Sequence, residues 1–169
     1  ELAVGPIEAA ALGDPARSIV LVPRRDTGRL APSVAPGLAE IGAFLPYSPL
    51  HHLLLGAFGG PVVATSGNVS GEPVLTDPAE AEARLATVAD AFLHHDRPIV
   101  RPADDSVVRI AAGRARPIRL GRGIAPLELE LPGELPEPVL AVGGHLKLTV
   151  ALAWGKRVVV SPHVGDMGT

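Results

Sequence analysis

Short apolar runs alternate with proline-started helices along this chain, and that alternation most constrains what it can fold into. Ser48-Pro49 and Asp77-Pro78 each put a side-chain oxygen just ahead of a proline, the pattern that opens a helix. After the first start, Leu50, Leu53, Leu54 and Ala57 fall at helical spacing until Gly59-Gly60-Pro61 stops them. After the second, Ala81, Leu85, Val88 and Ala89 give an inner face. Around these helices lie strand-length runs: Ser18 to Pro23, Pro61 to Thr65 as a buried strand, and Ala91 to Leu93. Ser106 to Ala111 and Arg116 to Leu120 read as two more strands around Gly113, and Gly121-Arg122-Gly123 as a turn. Residues 35–44 carry apolar side chains at uneven spacing and fit neither pattern. Strands interleaved with helices predict an α/β domain.

The character changes after Ala125. Pro126, Pro132, Pro136 and Pro138 alternate with four Glu, the composition of a stiff, extended linker over 126–138. Three strand-like runs follow, Val139 to Val142, Lys147 to Trp154 and Arg157 to Ser161, with tight glycine turns. Three strands do not easily make a stable domain alone. The expected organisation is therefore a first domain over 1–125 lacking its N-terminal part, a linker, and the opening of a second domain over 139–169.

Composition closes off several classes of function. The chain has 169 residues, 47% of them apolar, so a packed core is within reach and disorder is not expected. With no cysteine, disulfides, zinc fingers and thiol nucleophiles are all excluded within it. The longest apolar run, Leu53 to Phe58, is too short to span a bilayer, and no signal peptide is visible. A cytoplasmic location with no membrane partner is the expectation. The net charge of −3 conceals blocks. Residues 72–96 are acidic, 97–122 are arginine-rich and 124–138 are acidic again. Such blocks are usually solvated surface; the central one also suits an anion-binding wall.

The stretch VVATSGNVSGEP, Val62 to Pro73, carries three hydroxyls, an amide and two glycines within seven residues after a strand. A simple turn needs one or two such residues. The density suits gripping a polar ligand; closing a turn is the plainer alternative. His51-His52 and His94-His95 sit at adjacent positions, which do not converge on one ligand, so neither pair is expected to bind metal.

Five blocks, in order, resemble one family. They are LPYSPLHHLLL (Leu45 to Leu55), TSGNVSGEP (Thr65 to Pro73), HHDRPIVRPADDSVVR (His94 to Arg109), IRLGRGIAP (Ile118 to Pro126), and LAVGGHLKLTVALA with SPHVGDM. Together they are similar to the HypF family of hydrogenase maturation carbamoyltransferases, over nearly the whole chain from Ser18. The resemblance implies a YrdC-like twisted mixed sheet with flanking helices, followed by the first β-strands of an ASKHA-type domain. It implies that carbamoyl phosphate is hydrolysed and the carbamate adenylated with ATP in the YrdC-like part. The carbamoyl group then passes to the C-terminal Cys of a HypE-type acceptor protein, for the cyanide ligands of the nickel-iron centre. Zinc belongs to parts of the family that this chain does not carry.

Adenylation is mostly positioning and charge stabilisation at phosphate oxygens. The resemblance assigns ATP or carbamate contacts to Ser66 and Asn68, with Gly67 letting the backbone approach closely. It assigns others to Ser106, to Arg119 in an Arg-x-Gly element, and to Arg122 close behind. Asp104 and Asp105 are candidates for placing Mg²⁺ on the triphosphate; a capped polar turn is as good a reading. Arg109, Arg114 and Arg116 read as surface residues. In the second domain, Gly143, Gly144, Lys147 and Thr149 fall where ASKHA domains approach a nucleotide, and His163 and Asp166 lie in SPHVGDM. The family's Lys/Arg phosphate-clamp element has no match before Ser18, and His145 and Leu148 replace its usual residues. The chain alone is therefore expected to bind ATP poorly and turn over little.

Two other functions fit part of the pattern. A YrdC-type threonylcarbamoyl-adenylate synthase for tRNA modification shares the fold with another acyl group. A non-catalytic RNA-binding module would use the arginine block, but a net acidic chain with five aromatic residues gives RNA few stacking platforms. Nucleic acid is not an expected partner.

Overall fold

The computed structural model describes residues 1–25, 30–100, 102–144 and 148–164. They form a mixed α/β structure in two compact units. The first unit is Glu1–Ala64 with Asp105–Ala125; the second is Thr65–Asp104 with Pro126–Thr169.

In the first unit, α1 (Pro6–Gly13) precedes β1 (Ile19–Pro23) and β2 (Glu40–Ala43). Then come α2 (Pro49–Phe58) and, after the excursion into the second unit, β3 (Val107–Ala111) and β4 (Arg114–Arg119). The sheet order is β2-β1-β3-β4. β1 runs antiparallel to β2 and parallel to β3, pairing Leu21 with Gly42 on one side and with Arg109 on the other. A central strand between two partners has both ladders satisfied and can be wholly apolar. Accordingly Val20 and Val22 are fully buried and, with Val108, form the core, covered by Leu2, Leu12, Ala43 and Ile124. The β3–β4 hairpin pairs Ala111 with Arg114 across Ala112-Gly113, both at positive φ (51° and 71°). Two such residues in succession make the tight turn whose twist matches its strands.

Both proline-started helices form. In α2 the Ser48 hydroxyl accepts the His51 amide at 3.2 Å, and Gly59 ends it at φ 76°. In the second unit, Asp77 accepts the Glu80 amide at 2.8 Å to open α3 (Pro78–Leu85). Helix α1, which the sequence did not announce, begins with Pro6 and a Glu8 carboxylate that accepts the Gly5 amide at 3.0 Å.

Two expected strands are absent. Residues 61–65 and 91–93 are exposed and irregular. A β-branched run becomes a strand only where a neighbour supplies its ladder, and among the described residues none pairs with either segment.

The expected 126–138 linker is extended but not free-standing. It lies within β5 (Leu127–Val142), antiparallel to β6 (Val150–Val160). An eleven-residue strand drawn straight would span about 35 Å. Yet the Ser161 amide donates to the Val150 carbonyl at 2.8 Å, and the Val150 amide to the Ser161 hydroxyl at 2.9 Å. β6 is therefore doubled back at Gly155, which has φ 54°. Its two arms are the two strand-like runs expected around that glycine. β5 bends with it: 127–130 pair with the returning arm, 139–142 with the outgoing one. The register slips between Glu130 and Val139, where Pro132, Pro136 and Pro138 cannot donate to a ladder. Among the described residues no helix is long and apolar enough to cross a membrane.

Candidate functional site

The first unit builds its polar site where β3 begins and β4 ends. Ser106 is fully buried. Its hydroxyl accepts the Gly121 amide at 2.9 Å and donates to the Arg122 carbonyl at 3.0 Å. A hydroxyl has one proton to give, and this one is given to the turn. Ser106 thus holds Gly121-Arg122-Gly123 against the entry to β3.

Arg122 completes the closure. Its Nε and one terminal nitrogen donate to Asp105 Oδ1 at 2.9 and 2.6 Å. Its terminal nitrogens also reach the carbonyls of Ala16 (3.5 Å) and Arg17 (3.2 Å). The guanidinium lies 3.7 Å from the Tyr47 ring centre, and His51 meets that ring edge-on at 4.7 Å. Stacking on one face leaves the in-plane donors to the carboxylate and the carbonyls. Burial and the nearby Asp105 carboxylate raise the Tyr47 pKa, while Arg122 opposes them. Gly123 seals the turn: at φ 88°, a Cβ there would stand 2.3 Å from the Ala16 carbonyl oxygen.

Arg119 spends its Nε on the Asp105 carbonyl at 2.9 Å. That bond fixes the base of its guanidinium at the edge of the same turn. The surface arginines behave as such: Arg109 pairs with Glu40 across the sheet at 2.8 Å, and Arg116 bonds the Ala111 carbonyl at 3.3 Å.

Ser66, Gly67 and Asn68 lie in the second unit. The Ser66 hydroxyl donates to the Asn68 side-chain oxygen, and the Asn68 amide donates to the carbonyls of Val69 and Glu72, each at 3.0 Å. Leu75 N returns to Gly67 O at 3.0 Å. Glu72 is also ion-paired with Arg84 of α3. Loop 66–75 is thus a self-bonded turn anchored on a helix. A Cβ at Gly67 would meet nothing within 4 Å, so its backbone is open to approach.

Asp104 and Asp105 take different partners. Asp105 holds Arg122, whereas Asp104 Oδ2 lies 2.9 Å from Nε2 of His163, whose side chain is 5% exposed. With each carboxylate engaged by a basic side chain, the two do not offer Mg²⁺ a free pair, and no step is assigned to Mg²⁺ held there. Among the described residues no group of three or more His, Asp or Glu could hold a metal ion. Gly143 N donates to Thr149 O at 3.1 Å, and a Cβ at Gly143 would crowd Leu148 at 3.1 Å. Gly144 follows it, and Lys147 and Asp166 lie outside the described residues. The residues that sequence reasoning passed over are Tyr47 and Gly123. The first was hidden because its partner lies 75 positions away, the second because any turn glycine looks alike in sequence.

Two family profiles match the chain in succession. Residues 1–121 match Sua5_yciO_yrdC, described as telomere recombination, and residues 134–169 match the HypF Kae1-like domain. The chain belongs to the HypF family. Two carbamoyltransferases HypF are 45% identical over 163 residues (Synechocystis sp.) and 46% identical over 168 residues (Rhodobacter capsulatus). These alignments cover 96% and 98% of this chain but 21% and 22% of those proteins, so the chain spans about a fifth of their length. A crystal structure of full-length HypF in the phosphate- and nucleotide-bound form superposes with TM-score 0.87 at 40% identity, over 99% of this chain and 26% of that one. The T. kodakarensis HypF structure gives 0.87 at 37%, over 99% and 22%.

Proposed function

We propose that the chain is the part of a HypF-type carbamoyltransferase that makes carbamoyl-adenylate. The observation that carries this reading is the order of the two matches, a YrdC-family segment running into a HypF Kae1-like segment within one chain. A related HypF crystallised with phosphate and nucleotide supports it.

In this reading carbamoyl phosphate is first hydrolysed to carbamate and phosphate. A carbamate oxygen attacks the α-phosphorus of ATP, the bond to the β-phosphate oxygen breaks, and pyrophosphate leaves. The protein supplies donors where negative charge grows. Arg119 offers its terminal guanidinium nitrogens, since among the described residues only its Nε is spent, on the Asp105 carbonyl. Ser106, Asp105 and Arg122 hold the turn that aims it. Within the second unit, the open backbone at Gly67 and the hydroxyls of Thr65 and Ser70 suit phosphate or carbamate contacts of their own. The carbamoyl group then passes to a cysteine thiolate of a HypE-type acceptor, releasing AMP. Mg²⁺ would ride on the triphosphate itself.

The test is ATP–pyrophosphate exchange dependent on carbamoyl phosphate. It uses a chimaera in which this chain replaces the matching fifth of the full-length Synechocystis relative. Exchange with carbamoyl phosphate supports the reading. Exchange only with bicarbonate plus threonine would replace it with a threonylcarbamoyl-adenylate synthase. The chain alone is expected to show little or no exchange, and strong exchange by it would show that the clamp has been misplaced.

A further inference from the structure

Tyr47 stands just ahead of α2, and its own neighbours hold its ring. The Phe44 ring lies 6.1 Å from it, centre to centre, and the His51 ring meets it edge-on at 4.7 Å. His51 is itself fixed in the first turn of α2, where its amide donates to the Ser48 hydroxyl. Across this ring, 3.7 Å away, lies the Arg122 guanidinium. Asp105 is gripped twice. Its carboxylate takes Nε and a terminal nitrogen of Arg122 at 2.9 and 2.6 Å, and its carbonyl takes Nε of Arg119 at 2.9 Å. One residue thus links the two arginines, and all of these side chains belong to the first unit. Hydrogen bonds to Asp105, Ala16 and Arg17 fix the Arg122 guanidinium within its plane. Tipping out of that plane is the softer motion, and a ring packed on the face opposes it.

We propose that Tyr47 is a positioning residue for Arg119, acting through Arg122 and Asp105. The ring keeps the Arg122 guanidinium square to the Asp105 carboxylate. The carboxylate so held keeps the Asp105 carbonyl where Arg119 Nε meets it, and a fixed Nε gives the terminal nitrogens of Arg119 one direction. The start of α2 thereby governs the aim of an arginine more than 70 positions away without touching a ligand itself. The activity arm of the test rests on the function proposed above; the link between the side chains does not.

The experiment compares Tyr47→Leu, Tyr47→Phe, Arg122→Gln and the pair Tyr47→Leu with Arg122→Gln. In the chain, NMR follows exchange of the Arg119 and Arg122 Nε protons beside the core amides of Val20 and Val108. In Tyr47→Leu both Nε protons should exchange about fivefold faster, while the core amides stay within about twofold of the parent. Tyr47→Phe keeps the ring face and should match the parent. In the chimaera, Tyr47→Leu should raise KM for ATP about fivefold with kcat changed less than about twofold, and Tyr47→Phe should restore it. The pair should be no worse than Arg122→Gln alone, because the ring acts only through that arginine. Unaltered Nε protons would overturn the proposal, as would quickening at Arg122 alone or core amides that quicken equally. A Phe variant as impaired as Leu, or effects that add in the pair, would overturn it too. If Tyr47→Leu does not fold, His51→Ala decides: it removes the brace and leaves the ring, and must quicken both Nε protons about twofold. A parent chimaera without ATP–pyrophosphate exchange would refute the proposed function, while the Nε protons in the chain would still decide the role of Tyr47.

Discussion

Replacing Arg122 by Gln should show whether this side chain is a latch or a ligand. Three losses follow from the geometry. The ion pair with Asp105 is partly buried, with side-chain exposures of 32% and 23%, so its value falls between the two limits for such pairs. Exposed pairs are worth about 0–1 kcal/mol, and breaking a buried one costs about 3–5; about 1.5 kcal/mol is reasonable here. The bonds to the Ala16 and Arg17 carbonyls are long, 3.5 and 3.2 Å, and together contribute about 1 kcal/mol. Loss of the stack on Tyr47 adds about 0.5 kcal/mol. The sum is about 3 kcal/mol, a large share of a typical domain stability of about 5–15. With a urea slope of about 1–3 kcal/mol/M, the unfolding midpoint should fall by about 1–3 M. Circular dichroism through a urea titration of parent and variant measures it. Arg122→Lys should fall between them, because it keeps the charge and loses the planar fork. A Gln variant as stable as the parent whose chimaera nevertheless loses ATP binding would refute the latch and make Arg122 a ligand.

Gly123→Ala should destabilise the same turn by about 2–4 kcal/mol, because an L-residue at φ 88° is strained and the Ala16 backbone must move aside; thermal unfolding reads this, and a Tm within a degree or two of the parent would refute the close approach. Tyr47 is the sole tyrosine, so phenolate absorbance in an alkaline titration reports it alone, and its midpoint should lie above the ordinary value of 10.0. Because the folded state keeps the proton longer, the stability gained by burying the neutral phenol is intact below pH 10.0 and is lost as pH rises through the raised midpoint. Arg122→Gln should move that midpoint higher still, since Arg122 lowers it.

Local chemistry was legible in the sequence wherever one or two residues decide the outcome. The Ser48 and Asp77 caps, the turn at Gly113 and the fold-back at Gly155 each depend on a side-chain acceptor or on positive φ, and each is visible in a window of a few residues. Pairing is a different matter. Val62-Val63 and Phe92-Leu93 have the composition of strands, but composition names no partner, and both stay exposed. Residues 127–142 show the reverse: proline and glutamate argue for a linker, yet alternate stretches free of proline find the two arms of β6 and pair with them. Proline forbids donation only at its own position, so a strand can tolerate it where the register slips.

The site shows the same division at finer scale. Sequence reasoning chose polar residues by type and order, and by type Ser106, Arg119 and Arg122 are interchangeable as phosphate donors. Their bonds separate them. Ser106 gives its proton to a carbonyl, Arg122 is filled by a carboxylate and two carbonyls, and among the described residues Arg119 spends only its Nε. A group whose donors are satisfied within its own unit must break those bonds before it can serve a ligand, which weakens binding by roughly what the bonds contribute. The same arithmetic applies to Asn68, whose amide already closes its loop. Under the proposed function, phosphate contact would therefore fall first to Arg119 within the first unit and to the open backbone at Gly67 within the second. The more fully bonded residues hold their own loops together, so substituting them should cost stability before it costs affinity.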